Sequence, residues 1–277
     1  EIQEINTLRK HLDQVKGGRL AQRAAPAPIL SLILSDVIGD PLDVIASGPT
    51  VPDPSTFADT WDILQHRGLQ DALPDGLRAY LQNGLAGKIP DTPKPQDPLF
   101  ARAHSAVIAS LPQAAQAAAQ CAQGFSFHTA VLTTCLQGEA AQAGRFLAAV
   151  ARQVRTLGQP LPAPACLIAG GETTVTVRGD GMGGRNQELV LGAVADLAGL
   201  PDVCLISLAT DGGDGPTPAA GAAASGESLA RAQALGLNPA DFLARSDSFA
   251  FFSALDDLLL TGPTQTNVND LTFVFVF

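Results

Sequence analysis

At 277 residues the chain is long enough for two domains or one large one, with a core that needs no disulfide or metal staple. Hydrophobic residues make up 46% and charged residues 16%, which excludes a disordered chain, and the 5% of aromatics suits closely packed helices on a sheet. A net charge of -10, from 27 acidic against 17 basic residues with no Lys/Arg cluster, excludes a nucleic-acid-binding face, although a few local cations can still hold a phosphorylated ligand.

Cysteines at 121, 135, 166 and 204 sit in apolar surroundings without CxxC spacing, as buried reduced thiols of a cytoplasmic protein do. Runs such as "ILSLIL" fall far short of the ~20 residues of a membrane span, and no signal peptide is recognisable. The chain opens at Glu1, without Met, inside an amphipathic helix, so either the start was removed or the chain is part of a longer one.

In chain order, Ile2, Ile5, Leu8, Leu12 and Val15 recur at helical spacing, and "RLAQRA" follows a Gly17-Gly18 break. Arg9, Lys10, His11, Lys16 and Arg19 near that break read either as a solvated face or as a cationic patch beside a cleft. Residues 28–35, "PILSLILS", are apolar on both faces, as in a parallel strand covered by helices. A polar loop then leads to helices around 56–66 and 74–83. Strands at "SAVIAS" and "FHTAVL" alternate with helices at 112–123 and 138–156, a rhythm of parallel strands with right-handed crossovers. The Pro-rich 158–165 has the composition of a domain boundary, giving two α/β domains at 1–158 and 159–277. The second holds strands at 166–169, "TTVTVR" and "VCLISLA", a helix from Asn186, and a last strand "LTFVFVF".

Three segments could carry chemistry. "LSDVIGD" puts Ser35, Asp36 and Asp40 past the carboxyl end of a strand, where open α/β sheets bind ligands. "ATDGGDGPT" puts Asp211 and Asp214 on a glycine-rich loop, where they are either turn formers or a pair of oxygen ligands for Mg²⁺. "GMGGRNQE" runs into a helix, where main-chain amides, the helix dipole and the Arg185 fork suit an anion. The bland alternative is a hairpin turn with Asn186 as an ordinary N-cap. No metalloprotease, nucleophile-elbow or P-loop motif is present, and "GDGMGG" lacks the βαβ setting of a dinucleotide fingerprint.

Five strings, "EINTLRKHLDQVKGGRLA", "LILSDVIGDPLDVIASGPTVPDPSTFAD", "GGETTVTVRGDGMGGRNQEL", "ATDGGDGPTPAAGA" and "TGPTQTNVNDL", occur in the order of the class II glycerate kinases, whose C-terminal half is the MOFRL domain. The chain resembles that family over nearly its whole length. The resemblance implies ATP-dependent phosphorylation of D-glycerate, usually at the 2-position, with a divalent metal. It implies an incomplete Rossmann-like first domain with a parallel sheet, a smaller mixed α/β second domain, and an active site in the cleft between them. An upstream stretch bearing a lysine thought to be catalytic is expected to precede Glu1. The Arg of the family's GGRNQE motif, thought to act in catalysis, falls on Arg185. Reading the residues around it for phosphoryl transfer adds Asp36, sharing a metal or orienting the attacking hydroxyl, and Lys10 and Lys16 as positive charge, with Asp211 and Asp214 holding Mg²⁺ directly or through water. Gly183, Gly184, Asn186, Glu172, Ser35, Thr210 and Asn267 form the substrate- and phosphate-binding set, with Glu172 either orienting Arg185 or making a structural salt bridge to it. D-glycerate and ATP are then the partners, nucleic acid and membrane are not, and a homodimer is allowed. The alternatives are a hydroxypyruvate reductase, the older label of family members, and a non-catalytic sugar-acid or nucleotide sensor.

Overall fold

A computed structural model describes residues 2–277, which divide into two compact units: 2–33 with 40–108, and 34–39 with 109–277.

The first unit begins with α1 (Ile2–Leu12) and α2 (Arg19–Ala24), followed by β1 (Ile29–Leu34). The apolar side of α1 is not its buried side: Ile2, Ile5 and Leu12 are at least 40% exposed, whereas Asn6, Lys10 and His11 are buried. The reason is polar pairing. Lys10 Nζ lies 3.2 Å from Asp43 Oδ2 and 3.2 Å from Asp53 Oδ1, and His11 Nε2 hydrogen-bonds to Asp91 Oδ1 at 2.9 Å. A buried ammonium is tolerated when a carboxylate such as Asp53 is buried with it.

Thr56 and Asp59 cap α3 (Phe57–His66) reciprocally: Thr56 Oγ1 accepts from the Asp59 amide, and the Asp59 carboxylate accepts from the Thr56 amide. Phe57, Leu64 and Leu81 of α3 and α4 (Asp75–Leu85) form a small core. β2 (Ala103–Ala109) completes a two-stranded sheet with β1. Leu30 and Leu32 of β1 stay more than 60% exposed, so the expected cover on both faces is not found among the described residues.

The second unit carries the main sheet. α5 (Leu111–Gly124), β3 (His128–Leu136), α6 (Ala140–Leu157) and β4 (Ala165–Gly171) follow the expected alternation, and β3 and β4 pair in parallel. This pairing crosses residue 158, so the main sheet runs across the expected boundary. The Pro-rich 158–165 joins a helix to a strand inside one unit, and residues 109–158 belong to the second unit.

Next come α7 (Arg185–Leu197), β5 (Val203–Ala209), β6 (Gly221–Ser225), α8 (Ser228–Ala234), α9 (Pro239–Ala244), α10 (Ser248–Leu255), β7 (Leu258–Leu259) and β8 (Asp270–Val276). The strand order is β3-β4-β8-β5-β6-β7, with β8 antiparallel to both neighbours. All of β4 is buried, and its side chains alternate between two cores. Leu167 and Ala169 join Leu147, Val154, Val190 and Leu197 of α6 and α7, while Cys166 and Ile168 join Leu111, Ala115 and Ala119 of α5. Each fully buried leucine adds about 1.5–3 kcal/mol, so these helices fix the sheet against which the loops are set.

The alternating "TTVTVR" is no strand. Its backbone is held by the helix-start residue Glu139, whose carboxylate accepts from the Thr176 amide at 3.2 Å and from Thr176 Oγ1 at 3.0 Å. Only Thr174 forms a bridge, to Glu139, and Val177 is 70% exposed. The cysteines also divide: all four are free, but Cys121 and Cys135 are exposed, and only Cys166 is fully buried, its thiol pushed up to about 11 by that burial.

Candidate active site

The start of α7 faces a cavity of about 690 Å³, lined entirely by residues of the second unit and within the range of small-molecule sites. What holds this helix start is Asp214, which is 2% exposed. Its Oδ1 accepts from the amide and Nδ2 of Asn186 at 3.1 and 3.3 Å, and its Oδ2 from the amide and Nε2 of Gln187 at 2.9 and 3.0 Å. Asp214 therefore supplies from a neighbouring loop the anionic cap that Gly184, the N-cap residue, cannot. Burial raises its carboxyl above the ordinary range, against the pull of these bonds.

Two expectations are corrected here. With four hydrogen bonds on two oxygens, Asp214 has no lone pair left for a metal, so the Asp211–Asp214 pair does not fit Mg²⁺. Among the described residues no three His, Cys, Asp or Glu side chains are grouped to hold an ion. The glycines also serve a different end from ligand access. A Cβ at Gly184 would collide with the Asp214 carboxyl group, and one at Gly183 with Ser248 Oγ. They are bare so that the loop can close on its own protein.

Arg185, the first residue of α7, spans two carboxylates. Its Nε and Nη2 donate to Asp270 at 2.6 and 3.2 Å, and its Nη1 donates to Glu172 at 2.7 Å. The sheet brings the two acids together, since Gly171 and Asp270 are register partners in β4 and β8. Burial alone would lower the Arg185 pKa, but Asp270 and Glu172 outweigh it and hold the guanidinium more firmly charged than usual. Asp270 is 8% exposed and Glu172 47% exposed, so one arm of the fork is anchored and the other can exchange its partner.

Of the other expected residues, Gly183, Gly184, Asp211 and Asn267 line the cavity with Arg185. Neither the Gly183 nor the Gly184 amide donates a hydrogen bond among the described residues. Asp211 is exposed and accepts from the Gly213 amide at 3.0 Å. Asn186 is turned inward, accepting from Ser207 Oγ at 2.6 Å, so it is a structural group rather than a ligand contact. Thr210 Oγ1 donates to the Asn269 carbonyl and accepts from the Val268 amide, tying two loops together. Ser35 is buried and bonds to Val37, Asp36 is exposed, and neither lines the cavity. Lys10 and Lys16 are not free cations: Lys10 is paired as above, and Lys16 Nζ lies 2.8 Å from Asp13. Asp270 and Glu188, both cavity-lining, escaped the sequence reading, although Glu188 follows Arg185 by three residues and so shares its helical face.

Fold and site together define a mixed α/β protein whose substrate-sized cavity opens at a helix start guarded by an ion-paired arginine. Residues 165–270 match the MOFRL family, and residues 1–82 match a domain of unknown function (DUF4147). The chain is 44% identical to the D-glycerate 2-kinase of Thermotoga maritima, covering 98% of itself and 62% of that relative. It is 39% identical to a glycerate kinase of Macaca fascicularis, covering 99% of itself and 79% of the relative. A relative from Agrobacterium vitis, 40% identical over 99% of this chain and 69% of its own length, carries a hydroxypyruvate reductase name. A crystal structure of the Thermotoga maritima glycerate kinase superposes with a TM-score of 0.91 at 42% identity, over 100% of this chain and 64% of that one. The chain belongs to the glycerate kinase family that carries the MOFRL domain. It spans about three fifths of the length of the first two relatives it matches.

Proposed function

We propose that the protein phosphorylates D-glycerate with ATP to give 2-phosphoglycerate and ADP. The observation that carries this reading is Arg185, a permanently charged fork on the cavity wall with one anchored and one exchangeable carboxylate. Phosphoryl transfer needs positioning and neutralisation of charge spread over the transferring oxygens, more than covalent chemistry from the protein. A glycerate carboxylate or a phosphoryl group can take the place of Glu172 on Nη1 while Asp270 keeps the guanidinium plane fixed. The amides of Gly183 and Gly184 offer neutral donors beside it. Mg²⁺ belongs to the proposal as a companion of the nucleotide phosphates, for which the exposed carboxylate of Asp211 is the candidate contact.

The four free cysteines support a reducing, cytoplasmic setting. Among the described residues no helix is long and apolar enough to cross a membrane. A homodimer is part of the reading, to be checked by sedimentation. The deciding assay offers ATP and D-glycerate and follows ADP in a coupled reaction: release that depends on glycerate supports the kinase. NADH oxidation with hydroxypyruvate and no ADP release would favour the reductase, and glycerate binding without turnover would favour the sensor.

A further inference from the structure

Glu188 is the cavity's anomalous acid. Asp270 is paired with Arg185, Asp214 is saturated by the helix start, and Asp211 accepts from Gly213. Glu188 is only 5% exposed and lines the same cavity, yet its carboxyl group makes no hydrogen bond to any described residue. Its oxygens are not sealed among the buried unpartnered atoms but reach the cavity, so a donor that enters with the ligand meets a carboxyl that no protein group already holds. We propose that Glu188 is the proton acceptor of the reaction, taking the proton from the glycerate hydroxyl as that oxygen attacks the terminal phosphoryl group of ATP.

The assignment rests on the kinase reading above and names a group within it. Arg185 and Glu188 lie three residues apart on α7, so one helical face presents a cation for the anionic end of the substrate and a base for its hydroxyl. In the step, the O–H bond breaks and its proton passes to a Glu188 oxygen. The freed electron pair forms the new O–P bond, and the bond from phosphorus to the ADP oxygen breaks with its electron pair staying on ADP. Glu188 then gives the proton to water. Its surroundings suit a group that must both take and release a proton. Burial, then Glu139 and Asp214, push its carboxyl up to about 7, while Arg178 pulls the other way. A base is most effective when its pKa lies near the working pH.

The test uses the full chain and follows glycerate-dependent ADP release from acid to alkaline pH. Wild-type kcat should fall tenfold per pH unit below about 7, where Glu188 holds its proton. Glu188→Gln should lower kcat by roughly 100-fold or more, flatten that acid limb, and leave the KM for glycerate within about threefold. Glu188→Asp should recover part of the rate and move the limb, a response that a purely structural role would not produce. A Glu188→Gln enzyme with wild-type kcat, or with the acid limb unmoved, overturns the assignment while leaving the kinase reading intact. A wild-type enzyme that releases no ADP with glycerate overturns both. Should the Gln variant fail to fold, the limb of Glu188→Asp decides: an unmoved limb at undiminished rate refutes the role.

Discussion

Two cations in this molecule each sit between two carboxylates, and they do different jobs. In the first unit, Lys10 is 5% exposed and bonded to Asp43 and the fully buried Asp53. In the second, Arg185 is 32% exposed and bonded to buried Asp270 and half-exposed Glu172. The charge arithmetic is the same; access to solvent differs. A lysine sealed among its partners holds α1 in place. The arginine has a planar fork, so one edge can be anchored while the other stays available.

This contrast can be broken by mutation, most severely at Lys10. Lys10→Met should cost about 3–5 kcal/mol of stability in denaturant titrations, because it leaves Asp53 buried without its cation. Unchanged stability there would mean that the pair does not hold α1. A smaller effect, of opposite sign, is expected in the second unit. Glu188 holds its proton up to about 7 when folded, against an ordinary value of 4.5, so between those values the folded state binds more protons than the unfolded. Wild-type stability should therefore fall as pH rises through that window and stay lower above it. Glu188→Gln, which has no charge to bury, should be more stable than wild type by about 2–3 kcal/mol above pH 7, and lose that advantage toward pH 4.5. Parallel pH–stability curves would show that Glu188 is not desolvated. Smallest of all, Glu172→Gln should change stability by less than about 1 kcal/mol, since its half of the Arg185 bridge faces solvent. A loss as large as that at Lys10 would show that both arms of Arg185 are structural.

The regular parts of the second unit were legible because their patterns had one reading. α5, α6, α7, β5 and β8 all appear where periodicity and strand composition put them. Alternation misled at 173–178, where the Glu139 carboxylate captures backbone and hydroxyl donors that a strand partner would have used. At 158–165 a Pro-rich stretch with the composition of a linker joins a helix to a strand within one compact unit. On α1 the apolar spacing suggested one buried face, and long-range ion pairs buried another.

At the site, Arg185 and its glycines were visible as a motif, but their reasons were not. The spacing of "GMGGRNQE" says nothing of Asp214 filling the space that a Cβ at Gly184 would need. Asp270, 85 residues from Arg185, becomes its partner only because β8 inserts beside β4. Glu188 could have been singled out by its place three residues along the same helix. That it has no partner is a fact of three dimensions.

The central claim is that Arg185 meets the reacting anion, and one measurement addresses it directly: the initial rate of ADP release by the full-length Arg185→Ala enzyme against D-glycerate concentration at saturating ATP. A loss of about 2.7–4 kcal/mol of transition-state stabilisation, or roughly 100- to 1,000-fold in rate, is the predicted result. Near-normal turnover by that variant would contradict the account.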